Sequence, residues 1–199
     1  MRGHTLTEFM ASTNSLGDME FLLSRVAYSA APTILDKKPS TLMSFSQGSR
    51  NLYLLWERHK TNVSTLLGLD YVELSNRGMS RLVLFYKHNL LLCHLGEHET
   101  AQFLVDMGYP KEMGVDQYLE KLRVGFLSMC PNEVGVFLGI PLADVKTYIK
   151  CDGQGALACR YWKVYHNLEE AERTFALYDE ARQTIVRSLS FMPSIASSA

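Results

Sequence analysis

Apolar residues recur at helical spacing over most of the chain and switch to strand-like alternation only in short windows. Met19, Leu22, Leu23, Val26, Ala27 and Ala30 predict a first helix that starts after Ser15 and Asp18 and ends at Pro32. A loop with Pro39 and Gly48 is expected next. Ser49 is then expected to cap a second helix carrying Leu52, Leu55, Trp56, Val63, Leu66 and Leu67 as far as Gly68. Residues 70–74 and 81–87, rich in Val, Tyr, Phe and Leu and separated by Ser75, Asn76, Arg77 and Gly78, predict a β-hairpin. Two strands alone are marginal, and residues 158–165 are the expected third strand. Helical patterns fill 88–95, 97–107 and 116–127, followed by 131–138 and 142–150 as a close pair. Asn167 and Glu170 spell a capping box for a last helix. Its Ala171, Phe175, Tyr178, Ile185 and Leu189 keep one face through about six turns.

Strands set among helices without regular βαβ alternation predict an α+β fold, predominantly helical, with a small antiparallel sheet of about three strands and a long C-terminal helix. Residues 1–14 and 190–199 are polar and unpatterned and are expected to be flexible ends around a single domain of residues 15–189. The 47% hydrophobic and 21% charged fractions support a real core and exclude a disordered chain. A net charge of −1 offers no electrostatic reason to bind nucleic acid or an anionic membrane. No apolar run approaches the roughly 20 residues of a membrane span, and the N-terminus has no apolar signal region, so the cytoplasm is the expected compartment. Cys93, Cys130, Cys151 and Cys159 are too few and too unevenly spaced for a secreted disulfide scaffold and read as reduced thiols.

Two segments carry a family resemblance. Pro131-Asn132-Glu133-Val134-Gly135-Val136-Phe137-Leu138-Gly139-Ile140-Pro141-Leu142-Ala143-Asp144-Val145 is followed by Gly155 and then Cys159-Arg160-Tyr161-Trp162-Lys163-Val164-Tyr165, ahead of a final helix with Ala171 and Phe175. With Ala31-Pro32-Thr33 and Met107-Gly108-Tyr109-Pro110, this order resembles the bacterial family catalogued as domain of unknown function 3793, over roughly residues 20–188. The resemblance implies a small cytoplasmic protein of anaerobic, Firmicutes-type bacteria. It implies no activity, no cofactor and no catalytic residue. Where the family pattern often has His, before Glu133, this chain has Asn132.

Several constellations suggest chemistry. His94-Leu95-Gly96-Glu97-His98 matches H-x-x-E-H, in which two histidines one turn apart bind zinc, but Gly96 weakens the helix the motif needs. Cys151 and Cys159 could pair with Cys93 or Cys130 and His94 in a thiolate metal or redox site, although their spacing fits no standard zinc motif and a lone strand cysteine is usually a small buried hydrophobe. Gly153 and Gly155 suggest a turn rather than a phosphate loop. Residues 133–149 fit a helix-turn-helix template with Gly139 at the turn, yet residues 116–150 balance Asp116, Glu120, Glu133 and Asp144 against Lys121, Arg123, Lys146 and Lys150. Strand alternation puts Tyr161, Lys163 and Tyr165 on one face, and Trp162 and Val164 in the core.

These features predict a non-enzymatic protein that binds an unidentified ligand or protein partner, with Glu133, Gly139, Asp144, Tyr161, Lys163 and Tyr165 as the binding residues. A helix-turn-helix DNA binder and a thiolate metal or redox protein are the alternatives. His94, His98, Cys151 and Cys159 are the residues a metal would call on. No cofactor is indicated.

Overall fold

A computed structural model of the chain describes residues 13, 15–48, 50–111 and 114–190. Most of the two ends expected to be flexible, and the expected cap Ser49, lie outside the described residues. The fold is α+β, with a three-stranded antiparallel sheet of order β1-β3-β2, where β1 is Ser40–Ser46, β2 Asp70–Arg77 and β3 Ser80–Tyr86.

The short apolar run of β3 has a direct reason: as the central strand it is covered on both faces. Val83 and Phe85 join Phe45 in one apolar cluster, packed by α1 (Asp18–Ser29) and α3 (Leu52–Leu67) through Leu22, Val26 and Trp56. Leu84 and Tyr86 face a second cluster built from α4 (His88–Leu95), α5 (His98–Asp106), α6 (Val115–Gly125), α7 (Val134–Phe137) and α8 (Leu142–Cys151). Pro32 does not simply end α1. It occupies the start of a one-turn helix, α2 (Ala31–Ile34), where its missing N–H costs nothing.

Two expectations need correction. The third strand is Ser40–Ser46, in the segment expected to be loop, and it pairs with β3 from Ser40↔Tyr86 to Ser46↔Ser80. Residues 158–165 do not form one strand. They make a separate small hairpin of β4 (Ala158–Cys159) and β5 (Lys163–Val164). Arg160, Tyr161 and Trp162 form its connection, which the Arg160 N–H closes onto the Trp162 carbonyl. This hairpin lies against the last helix, α9 (Leu168–Ser190). There Trp162 and Val164 bury with Ala171, Phe175 and Tyr178 in a third cluster. Ile140 packs against both the second and third clusters and ties them together.

Candidate functional site

The helix pair expected at residues 131–150 is present, but its first member, α7, is a single turn. So short a helix leaves its last carbonyls without internal partners. The turn that follows supplies three of them, through the Leu138, Ile140 and Gly139 N–H groups on the Val134, Gly135 and Val136 carbonyls; Ser40 Oγ donates to the Phe137 carbonyl at 2.6 Å, and His94 Nε2 lies 3.0 Å from the Val136 carbonyl. The Gly139 turn follows at φ 73°, with Pro39 pressed against it so closely that a Cβ at this position would lie 2.6 Å from Pro39 Cδ.

Asp144, in the first turn of α8, is buried and joins the helix pair to the hairpin. One carboxylate oxygen accepts the Trp162 indole N–H at 2.8 Å. The other accepts the backbone N–H groups of Tyr165 and His166, both at 2.9 Å. Asp144 is therefore a clasp whose acceptor capacity is directed at the hairpin.

Between these elements lies a cavity of about 240 Å³. Val134, Leu138, Ile140, Val145 and Trp162 give it an apolar wall, with Cys130 and Pro131 also contributing to the lining. Asn132, Tyr148, Tyr161 and Lys163 supply polar atoms. Lys163 is exposed and donates to the Gly153 carbonyl at 2.7 Å. Tyr161 donates its hydroxyl to Asp179 at 2.8 Å, and burial, reinforced by that bond, raises its pKa. The Asp152–Gly153 turn closes α8 in the left-handed region. The N–H groups of Gly153 and Gln154 donate to Tyr148 and Cys151, as a plain helix stop requires.

Asp144, Tyr161 and Lys163 thus meet at one cavity, while the other expected binding residues fall around it. Glu133 accepts the Tyr109 hydroxyl at 3.2 Å, and burial followed by that carboxylate raises the Tyr109 pKa. Gly139 lines a different cleft, with His94, Glu97 and His98. Tyr165 contributes its backbone N–H to the Asp144 clasp. Tyr161, Lys163 and Tyr165 do not share one strand face as expected: Tyr161 lies in the hairpin connection with its ring 5.1 Å from Tyr178, because the strand is too short to hold all three residues.

Asn132, Leu138, Ile140 and Tyr148 join the expected residues in lining the cavity. Tyr148 carried a readable signal, since it lies one turn beyond Asp144 on the same helix face. The others depend on how the Gly139 turn folds back.

The H-x-x-E-H residues do not share a helix. His94 ends α4, Gly96 terminates it, and His98 opens α5. Among the described residues, no group of three His, Cys, Asp or Glu side chains is arranged to hold a metal ion. Cys151 and Cys159 are exposed, as are Cys93 and Cys130, which corrects the expectation of a buried strand cysteine: Cys159 sits on a two-residue strand with no sheet above it.

A sequence model for a family described as proteins of unknown function, DUF3793, matches residues 26–197. The chain belongs to this family. No curated protein and no solved structure matches it. No helix among the described residues is long and apolar enough to cross a membrane.

Proposed function

We propose that this DUF3793 protein is a non-enzymatic binding protein that takes a small, largely apolar organic anion in the cavity between α7, α8 and the hairpin. The observation that carries the reading is the lining: an apolar wall with a few polar groups beside it, including an exposed lysine, is the usual composition of a small-molecule site. An apolar tail would lie against Val134, Leu138 and Ile140, and a carboxylate would reach Lys163 and Asn132. The cytoplasm fits four exposed, unpaired thiols, which persist best in a reducing compartment.

The DNA-binding alternative has weaker support. Asp144 and Val145 are buried on α8, and α7 is one turn long. That leaves little of the expected recognition helix to enter a groove.

Trp162 makes the test simple, because it lines the cavity and only one other tryptophan, Trp56, is present, in a different cluster. Titration with octanoate should change tryptophan fluorescence saturably. Trp56→Phe should retain the change, and Val134→Trp, which adds bulk to the cavity lining, should abolish octanoate binding measured by calorimetry. Lys163→Met should weaken it. A wild-type chain that shows no saturable response, or binding indifferent to both cavity substitutions, contradicts the proposal.

A further inference from the structure

Three aromatic rings line the cavity between α7, α8 and the hairpin, and each is fixed by the elements around it. Trp162 donates its indole N–H to Asp144 and sets its ring 4.4 Å from that of Phe175, at 70°. Tyr161 donates to Asp179 and packs edge-on against the Tyr178 ring. Tyr148, on α8, lies against the turn that ends its own helix. A Cβ at Gly153 would come within 2.9 Å of Tyr148 Cε2 and 3.1 Å of Lys163 Nζ. The Lys163 ammonium is thereby held beside the Tyr148 ring, 5.7 Å from its centre.

Most polar groups in the lining are already engaged. The Asp144 oxygens accept three N–H groups, and the Trp162 N–H and the Tyr161 hydroxyl have their partners. A ligand is left with Lys163, whose ammonium has N–H bonds to spare beyond the one given to Gly153. The Asn132 amide and the Tyr148 hydroxyl are also free of hydrogen bonds among the described residues. This set holds one positive charge and no unengaged negative one, which suits an anionic head. Because Lys163 and Tyr148 sit together, a head at Lys163 brings the first atoms of its body beside a ring.

We propose that the cavity selects aromatic carboxylic acids over aliphatic ones of the same carbon number, with the Tyr148 ring as the discriminating group. This names the ligand class of the site proposed above and rests on that reading. A volume of about 240 Å³ is below the roughly 300–1,000 Å³ of drug-sized sites, and it limits the acid to a small ring on a short linker. Offset or edge-to-face contact between rings gains free energy beyond the area it buries. Rings already fixed by Asp144, Asp179 and the Gly153 turn make such contacts without losing further freedom, whereas an alkyl chain has to freeze its own rotors on binding.

The test compares 3-phenylpropanoate with 3-cyclohexylpropanoate by calorimetry, with octanoate as a third acid. The two ring acids carry the same charge and the same number of carbons. The saturated one is the more apolar, so burial alone would favour it. Phenylpropanoate should instead bind about three- to tenfold tighter. Tyr148 is 39% exposed and outside the core, so Tyr148→Leu should fold normally, bind both acids and lose the margin. Tyr148→Phe, which restores a ring without the hydroxyl, should recover it. Cyclohexylpropanoate binding at least as tightly as phenylpropanoate, or a margin that survives in Tyr148→Leu, overturns the aromatic preference while leaving the cavity a ligand site. Saturable binding by none of the three acids overturns both.

Discussion

Asp144 shows how much one side chain can decide. Its carboxylate accepts an indole N–H and two backbone N–H groups, so truncation leaves three buried or half-buried donors without an acceptor. Each such loss costs about 1–3 kcal/mol, and Asp144→Ala is expected to lower the unfolding free energy by at least about 3 kcal/mol in chemical denaturation. A loss under about 1 kcal/mol would mean that the hairpin is held by its apolar contacts alone. Lys38 should behave in the opposite way. Its folded pKa lies below the unfolded value of 10.5, so the native state binds fewer protons between about pH 8 and 10.5. Stability therefore rises with pH across that window, and the charged amine is a cost below it. Lys38→Met should stabilise the protein at pH 7 by roughly 1–2 kcal/mol, allowing for partial solvation, with the advantage over the parent shrinking as the pH rises from about 8 to 10.5. Neither effect was legible in the sequence. Lys37-Lys38-Pro39 reads as a solvated loop, and Lys38 becomes a half-buried cation only where its ammonium meets the Tyr178 ring of the distant α9.

At the scale of elements, what could be read depended on local pattern. The helix 88–95, the Gly68 stop and the hairpin of β2 and β3 follow from spacing and turn residues close in sequence, and all three are present. β1 was hidden because Ser-Thr-Leu-Met-Ser-Phe-Ser holds only three apolar residues. Two of its polar positions are buried all the same: Ser40 donates to the Phe137 carbonyl, and the Thr41 hydroxyl pairs with that of Thr33 at 2.8 Å. Those partners are supplied by the tertiary fold, so hydropathy alone treats the strand as loop. The hairpin at 158–165 failed for the reverse reason. Its aromatics look like a strand, but they serve a corner against α9. The Gly139 turn is where α7 is fixed against the loop before β1. Its φ of 73° and the close approach of Pro39 predict that Gly139→Ala costs about 1–3 kcal/mol, measurable as a lowered denaturation midpoint. An unchanged midpoint would show that Pro39 moves aside freely.

Over the whole molecule, three apolar clusters are linked by the elements between them. Ile140 belongs to two of them, and α9 packs on α1 and α2, which reach the sheet from its other side. The chain is therefore expected to unfold as one cooperative unit. Trp56→Phe and Trp162→Phe variants, each reporting from one remaining tryptophan, should agree between fluorescence and circular dichroism in a single transition within each variant. A separate early transition seen only through Trp162 would instead make the hairpin and α9 an independent unit. The position of the candidate site was partly legible: Asp144, Tyr161 and Lys163 were named from two motifs that the fold brings to one cavity. The cavity itself was not, because its walls arise where the one-turn α7 and the broken hairpin leave space between the second and third clusters.

The central claim is that this space is a ligand site, and methyl-resolved NMR during octanoate titration tests it most directly. The account predicts saturable shifts confined to Val134, Leu138, Ile140 and Val145, with the methyl groups around Trp56 unmoved. Octanoate that leaves these four residues unperturbed, or that shifts methyl groups of both cores alike, would contradict it.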